Sequence, residues 1–151
     1  MALIEVWPGK SVRDRVYRGG HSSTSSFQVR SMWHRRAAAG DKFCTGGKES
    51  GEICDWTVSK TGVDVKTDLG LNHNEVTSKS QSGWCPRHGD SGGPVYTVNS
   101  DGTVAAKGII SSGSGGGTDH YAGSLDLHQC AIQFTDIYDA YQGFPGSLWL
   151  W

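Results

Sequence analysis

Short runs of alternating apolar and polar residues, cut every few positions by glycine, fill most of this chain and limit what it can fold into. Residues 27–33 alternate with a period of two, as a strand with one buried face does, and residues 53–58 do so less cleanly. Residues 93–98 and 103–110 flank Asn99, Ser100, Asp101 and Gly102, which predicts a hairpin closed at an Asp-Gly turn. Residues 2–6 predict one further short strand, stopped by Pro8 and Gly9. Glycine supplies 22 of the 151 residues, roughly twice ordinary usage. Such a chain suits an all-β domain rich in turns and bulges, and the 36% of hydrophobic residues argues against a helical bundle or coiled coil. A net charge of −1 with no basic block removes the electrostatic case for a nucleic-acid partner. No apolar run approaches the roughly 18 residues of a membrane-spanning helix, so no membrane partner is expected.

Residues 10–26 are polar and irregular, with Gly19, Gly20 and a serine-rich run, and read as a linker. Residues 111–117 are nearly all serine and glycine and read as a loop with close backbone approaches. Residues 131–141 break the β pattern. Phe134, Ile137, Tyr138 and Tyr141 recur at helical spacing, Thr135 or Asp136 offers a cap, and Gly143 a stop. This predicts one C-terminal helix over residues 131–143, followed by an apolar, aromatic tail over 144–151. The four cysteines lack metal-type pair spacing and fit a disulfide framework, in any of three connectivities. No metal or cofactor is expected. The first residues have neither a basic leader nor the apolar stretch of a signal peptide.

The chemistry lies in Gly89, Asp90, Ser91, Gly92, Gly93 and Pro94, followed by an apolar strand. A serine flanked by glycines sits on a tight turn with its hydroxyl exposed. The N–H groups of Gly89 and Ser91 then point to one spot and form an oxyanion hole. Gly92 and Gly93 let backbone pass close to a bound carbonyl, and a buried Asp90 holds the turn in shape. A lone Gly-x-Ser-x-Gly is ordinarily just a turn between strands; six positions in order weigh against that reading.

These six residues resemble the nucleophile motif of the chymotrypsin-like serine proteases, bacterial secreted branch. The resemblance covers most of residues 27–143 and implies that Ser91 is the nucleophile, with Gly89 and Ser91 supplying the oxyanion hole. Asp90, Gly92 and Gly93 support the turn. Residues 40–54 resemble that branch's small disulfide loop, which implies a Cys44–Cys54 bridge and leaves Cys85–Cys130 as the second. Residues 108–113 resemble the strand that pairs with substrate backbone. Cys85, Ser111, Ser112 and Gly113 are thereby implied as substrate-binding positions. The implied fold is an all-β, six-stranded antiparallel Greek-key barrel, the second of a double barrel, with one C-terminal helix. Residues 1–26 would be a remnant strand of the first barrel plus linker, and residues 27–130 the second barrel. The implied activity is that of a secreted, extracellular serine endopeptidase acting on peptide or protein substrates. The alternative is a non-catalytic, protease-like module that binds peptides along residues 111–113 by strand addition.

Serine needs a histidine held by a carboxylate. In that family both precede the serine, and the histidine lies in a short Ala-His-Cys type segment, which this chain lacks. His88 adjoins Gly89 and is poorly placed to act as base, while His21 and His34 read as solvated. Residues 1–6 match the segment directly after the family's aspartate, with Met1 as the variable position. This gives the expectation of a fragment starting one residue after that aspartate, inactive alone and associating with a missing N-terminal barrel or a second copy. Thr45 stands where bacterial relatives often carry an arginine that pairs with the motif aspartate; Arg35, Arg36 or Arg87 are candidate substitutes. At the position that the resemblance gives to the floor of a trypsin-like pocket stands Cys85 and no acidic residue, which favours an apolar or mixed substrate preference unless Asp119 or Asp126 intrudes.

Overall fold

A computed structural model describes residues 8–67, 70–80, 85–114 and 130–146. The predicted strand at residues 2–6, the tail beyond residue 146, and Asp119, His120, Asp126 and His128 lie outside these described residues. Eight strands form, β1 Arg15–Tyr17, β2 Ser26–Met32, β3 Lys42–Gly47, β4 Gly51–Thr67, β5 Gly70–Ser80, β6 Pro94–Val98, β7 Val104–Ser114 and β8 Ala131–Asp136, followed by helix α1 Ile137–Gly143.

Six of the strands close on themselves. The order β7-β6-β3-β4-β5-β8 returns to β7 through a β7–β8 pairing, and every step of the circuit is antiparallel. Three consecutive strands, β3 to β5, lie side by side, and β6 returns to flank β3, which is the Greek-key arrangement. Closure leaves each of these strands paired on both edges over part of its length. The strand count exceeds the six expected, because β1 and β2 lie outside the circuit. Residues 27–33 were expected inside the barrel; instead β2 runs parallel to the first half of β7, pairing Val29 with Val104 and Met32 with Ala106.

The barrel interior is filled by alternate side chains. Trp56, Val58, Phe43, Val76, Ile132 and Phe134 are all at most 3% exposed. Phe43 meets Phe134 edge-on at 5.0 Å between ring centroids. The Trp56 indole N–H donates to the Thr45 hydroxyl at 3.0 Å, which satisfies the one polar group of a fully buried ring. Thr45 is therefore committed to the core.

The predicted helix over residues 131–143 is corrected. Its first half is β8, and the helix starts only at Ile137. β8 lies between β5 and β7, so Gln133 as well as Ile132 and Phe134 is buried. Burial on both faces removes the alternation that marks a strand in sequence. The Asp136 carboxylate caps the helix by accepting from the Tyr138 N–H at 2.9 Å. The loop expected from residue 111 is also shorter, since β7 runs on to Ser114 by pairing Ser112 with Gln133 and Gly113 with Ile132. The strand expected at residues 53–58 extends to Thr67 and forms a long hairpin with β5, in whose outer half half-buried Val63 and Val65 alternate with exposed Asp64 and Lys66.

Candidate active site at the Ser91 turn

Residues 85–93 enter β6 through a tight turn. Gly89 and Gly92 adopt φ of +100° and +85°, the left-handed region that glycine tolerates best. Ser91 is exposed between them. The Gly92 N–H donates to the Ile110 carbonyl at 2.8 Å, and the Ile110 N–H to the Gly93 carbonyl at 2.9 Å, so the turn is fastened to β7. A Cβ on Gly93 would stand 2.2 Å from the Gly46 carbonyl oxygen and 2.8 Å from that of Asp90, so no larger residue fits. Among the described residues nothing accepts from the N–H of Gly89 or of Ser91. Two free donors beside an exposed hydroxyl are what a developing oxyanion requires.

Asp90 is 2% exposed, and none of the expected arginine side chains pairs with it. Arg35 pairs with Asp41 at 2.8 Å, and Arg36 with Asp139 at 2.7 Å. Arg87 contributes its backbone N–H at 2.7 Å, while its buried Nε has no hydrogen-bond partner among the described residues. The other partners come from the tip of the β3–β4 hairpin. The Glu49 N–H donates at 2.9 Å, the Ser50 N–H at 3.1 Å, and the Ser50 hydroxyl also donates to the carboxylate. Gly47 makes room, since a Cβ there would fall 2.2 Å from Asp90 Oδ1. The sequence reading missed Glu49 and Ser50. The only signal for them was the glycine spacing at positions 46, 47 and 51 around the tip.

The disulfides join Cys44 to Cys54 and Cys85 to Cys130. The first spans adjacent strands of the hairpin that reaches Asp90. The second anchors the segment entering the Ser91 turn beside β8. Ser111, Ser112 and Gly113 lie on β7 directly after Ile110. The Ser111 hydroxyl accepts from the Asn72 side chain at 2.8 Å, and the Ser112 hydroxyl donates to Gln133 at 2.9 Å. A Cβ on Gly113 would approach Pro86 Cγ to 2.5 Å, so the residue after Cys85 packs against this strand. Cys85 itself is buried in the barrel core, and none of Cys85, Ser111, Ser112 and Gly113 lines the cleft that opens beside Ser91.

A largely apolar cleft of about 950 Å³ opens beside Ser91, walled by Tyr17, His21, Gly46, Pro94 and Ile109 among others. His21, His34 and His88 are exposed. Among the described residues the one histidine–carboxylate pair is His73 with Asp64 at 3.0 Å, on the exposed outer half of the β4–β5 hairpin. The described residues also include no group of three His, Cys, Asp or Glu placed to hold a metal.

No protein-family model and no curated protein matches the sequence. Solved structures do match. A chymotrypsin of Cellulomonas bogoriensis aligns with a TM-score of 0.65 and 21% identity, over 90% of this chain and 61% of its own. Protease A of Thermobifida fusca aligns with a TM-score of 0.63 and 23% identity, over 91% of this chain and 62% of its own. A Nocardiopsis protease aligns with a TM-score of 0.62 and 21% identity, over 92% of this chain and 68% of its own. The chain spans about three fifths of the length of the first two. With its closed antiparallel circuit, its Ser91 turn and these matches, the chain has the fold of the bacterial chymotrypsin-like serine proteases.

Proposed function

We propose that the chain is the nucleophile-bearing part of an extracellular serine endopeptidase. The observation that carries this is the exposed Ser91 on a glycine turn, with N–H donors at Gly89 and Ser91 that no described residue uses, on either side of a buried Asp90. In the reaction, Ser91 Oγ attacks a peptide carbonyl carbon while a general base removes its proton. The oxyanion accepts from Gly89 and Ser91. The C–N bond breaks as the leaving amine takes the proton, and water then hydrolyses the acyl-serine. Losing one such donor typically costs 10²–10³ in rate. Substrate backbone lies along residues 111–113. The two disulfides fit an oxidising compartment.

The base and its carboxylate come from outside the described residues, on a first barrel that covers the apolar cleft. The chain alone is then nearly inactive, since removing the histidine of such a site costs about 10⁶ in turnover. The second reading, a peptide-binding module, is favoured by one observation: no described histidine is held beside Ser91 by a carboxylate. A fluorophosphonate probe separates the two. Ser91 labelling, by the chain alone or after addition of a first barrel from a structural relative, supports the peptidase. No labelling in either case, with peptide still bound along residues 111–113, supports the module.

A further inference from the structure

We propose that the β3–β4 tip, through Ser50, is the positioning element that sets the Gly89 and Ser91 N–H groups. This rests on the peptidase reading of Ser91. Asp90 lies between the two donors in the chain, so the direction of its side chain fixes the backbone on both sides. Among the described residues, that direction is imposed without a cation. Three N–H groups and one hydroxyl surround the carboxylate, and three of these four donors belong to Glu49 and Ser50. Hydrogen bonds to a buried carboxylate are charge-assisted and directional, so they define a position more narrowly than a lone ion pair does.

The tip is itself held firmly. Gly47 pairs with Gly51 across its base, and the Cys44–Cys54 bridge ties the strands below. Glu52, one residue beyond, accepts from Tyr96 at 2.6 Å and is paired with Arg18. The Glu49 side chain lies over Gly89, where a Cβ would meet its Cγ at 2.9 Å. The tip therefore approaches Gly89 directly and is linked to both donors through Asp90. Ser50 Oγ is the one side-chain donor in the cradle, and the one that substitution removes without disturbing backbone.

The test compares the intact chain with Ser50→Ala, Ser50→Thr and Ser59→Ala. The last removes a hydroxyl bond from β4 to the Thr77 carbonyl and serves as the control. The first readout is the amide resonances of Gly89 and Ser91, with hydrogen exchange at Glu49, Ser50 and Arg87. Ser50→Ala is expected to shift both resonances and speed exchange about tenfold or more, Ser50→Thr to restore both, and Ser59→Ala to change neither. Melting temperature tracks global stability in all four proteins. The second readout is the rate of Ser91 labelling by a fluorophosphonate, expected to fall in parallel. A parent protein that stays unlabelled even after addition of a first barrel counts against the peptidase reading, while the amide readout still decides the role of Ser50. If Ser50→Ala leaves resonances and exchange where Ser59→Ala leaves them, the proposal is overturned. Should Ser50→Ala not fold, Ser50→Cys, which keeps the shape and weakens the bond, is read in the same way.

Discussion

Two aspartates are held in opposite ways in this molecule. Asp90 is surrounded by N–H and hydroxyl donors, with no cation among the described residues. Asp41 is held by Arg35 at 2.8 Å and by the buried Lys107 at 3.3 Å, with the Ala38 N–H adding one backbone bond. Both cations also lie over the Trp33 ring, Lys107 at 3.0 Å and Arg35 at 4.2 Å from its centroid. The Asp90 arrangement specifies a shape. The Asp41 arrangement neutralises charge where β7 meets the loop after β2. The Asp41 arrangement also shifts the protonation of its own members. Burial pushes Asp41 up, but Arg35, the Ala38 N–H and Lys107 outweigh it and bring its pKa down to about 2. Burial pulls Lys107 down to about 8 against the attraction of Asp41 and Asp136.

The largest break in this contrast comes from Asp90→Ala, which strands three inward-facing N–H groups. It is expected to cost about 3–4 kcal/mol in urea denaturation and to end any labelling of Ser91. Removing the Cys44–Cys54 bridge is expected to cost about 3 kcal/mol from loop closure. The same change loosens the Asp90 cradle, seen as faster exchange at Glu49 and Ser50, while Trp33 fluorescence stays as it was. Lys107 gives a smaller effect confined to high pH. Between about pH 8 and the ordinary lysine value the unfolded chain binds more protons, so stability rises with pH across that window. Lys107→Met is expected to flatten that rise in denaturation curves from pH 7 to 10. Asp41 acts in the same direction at the acid end: its stabilisation is full above the ordinary carboxylate range and fades as pH falls toward about 2. The smallest effect is that of Arg35→Ala, an exposed partner, which lowers melting temperature slightly at low salt and not at all in 1 M NaCl.

Individual strands were legible because their signals are local, whereas the barrel they close was expected only from the family resemblance. The hairpin of β6 and β7 follows from alternation on either side of Gly102, which takes φ of +85° as an Asp-Gly turn requires. The Ser91 turn was legible because glycines at 89, 92 and 93 mark backbone that few other residues adopt. β8 was misread because Phe134 and Ile137 are three residues apart by coincidence of a strand end and a helix start. β2 was assigned to the barrel because alternation reports a half-buried strand, not its neighbour.

By itself the sequence determined an all-β chain with a hairpin, a glycine-framed serine and a short final helix. Each of these is encoded within a dozen residues by periodicity, turn chemistry or capping. Only the tertiary structure decided what holds Asp90. Its donors at Glu49 and Ser50 are about 40 residues away, and two of its bonds from the tip come from main-chain N–H groups that nearly every residue possesses. Side-chain identity therefore pointed to the arginines, whereas the close approach at Gly47 and the register of β3 against β4 chose the hairpin tip.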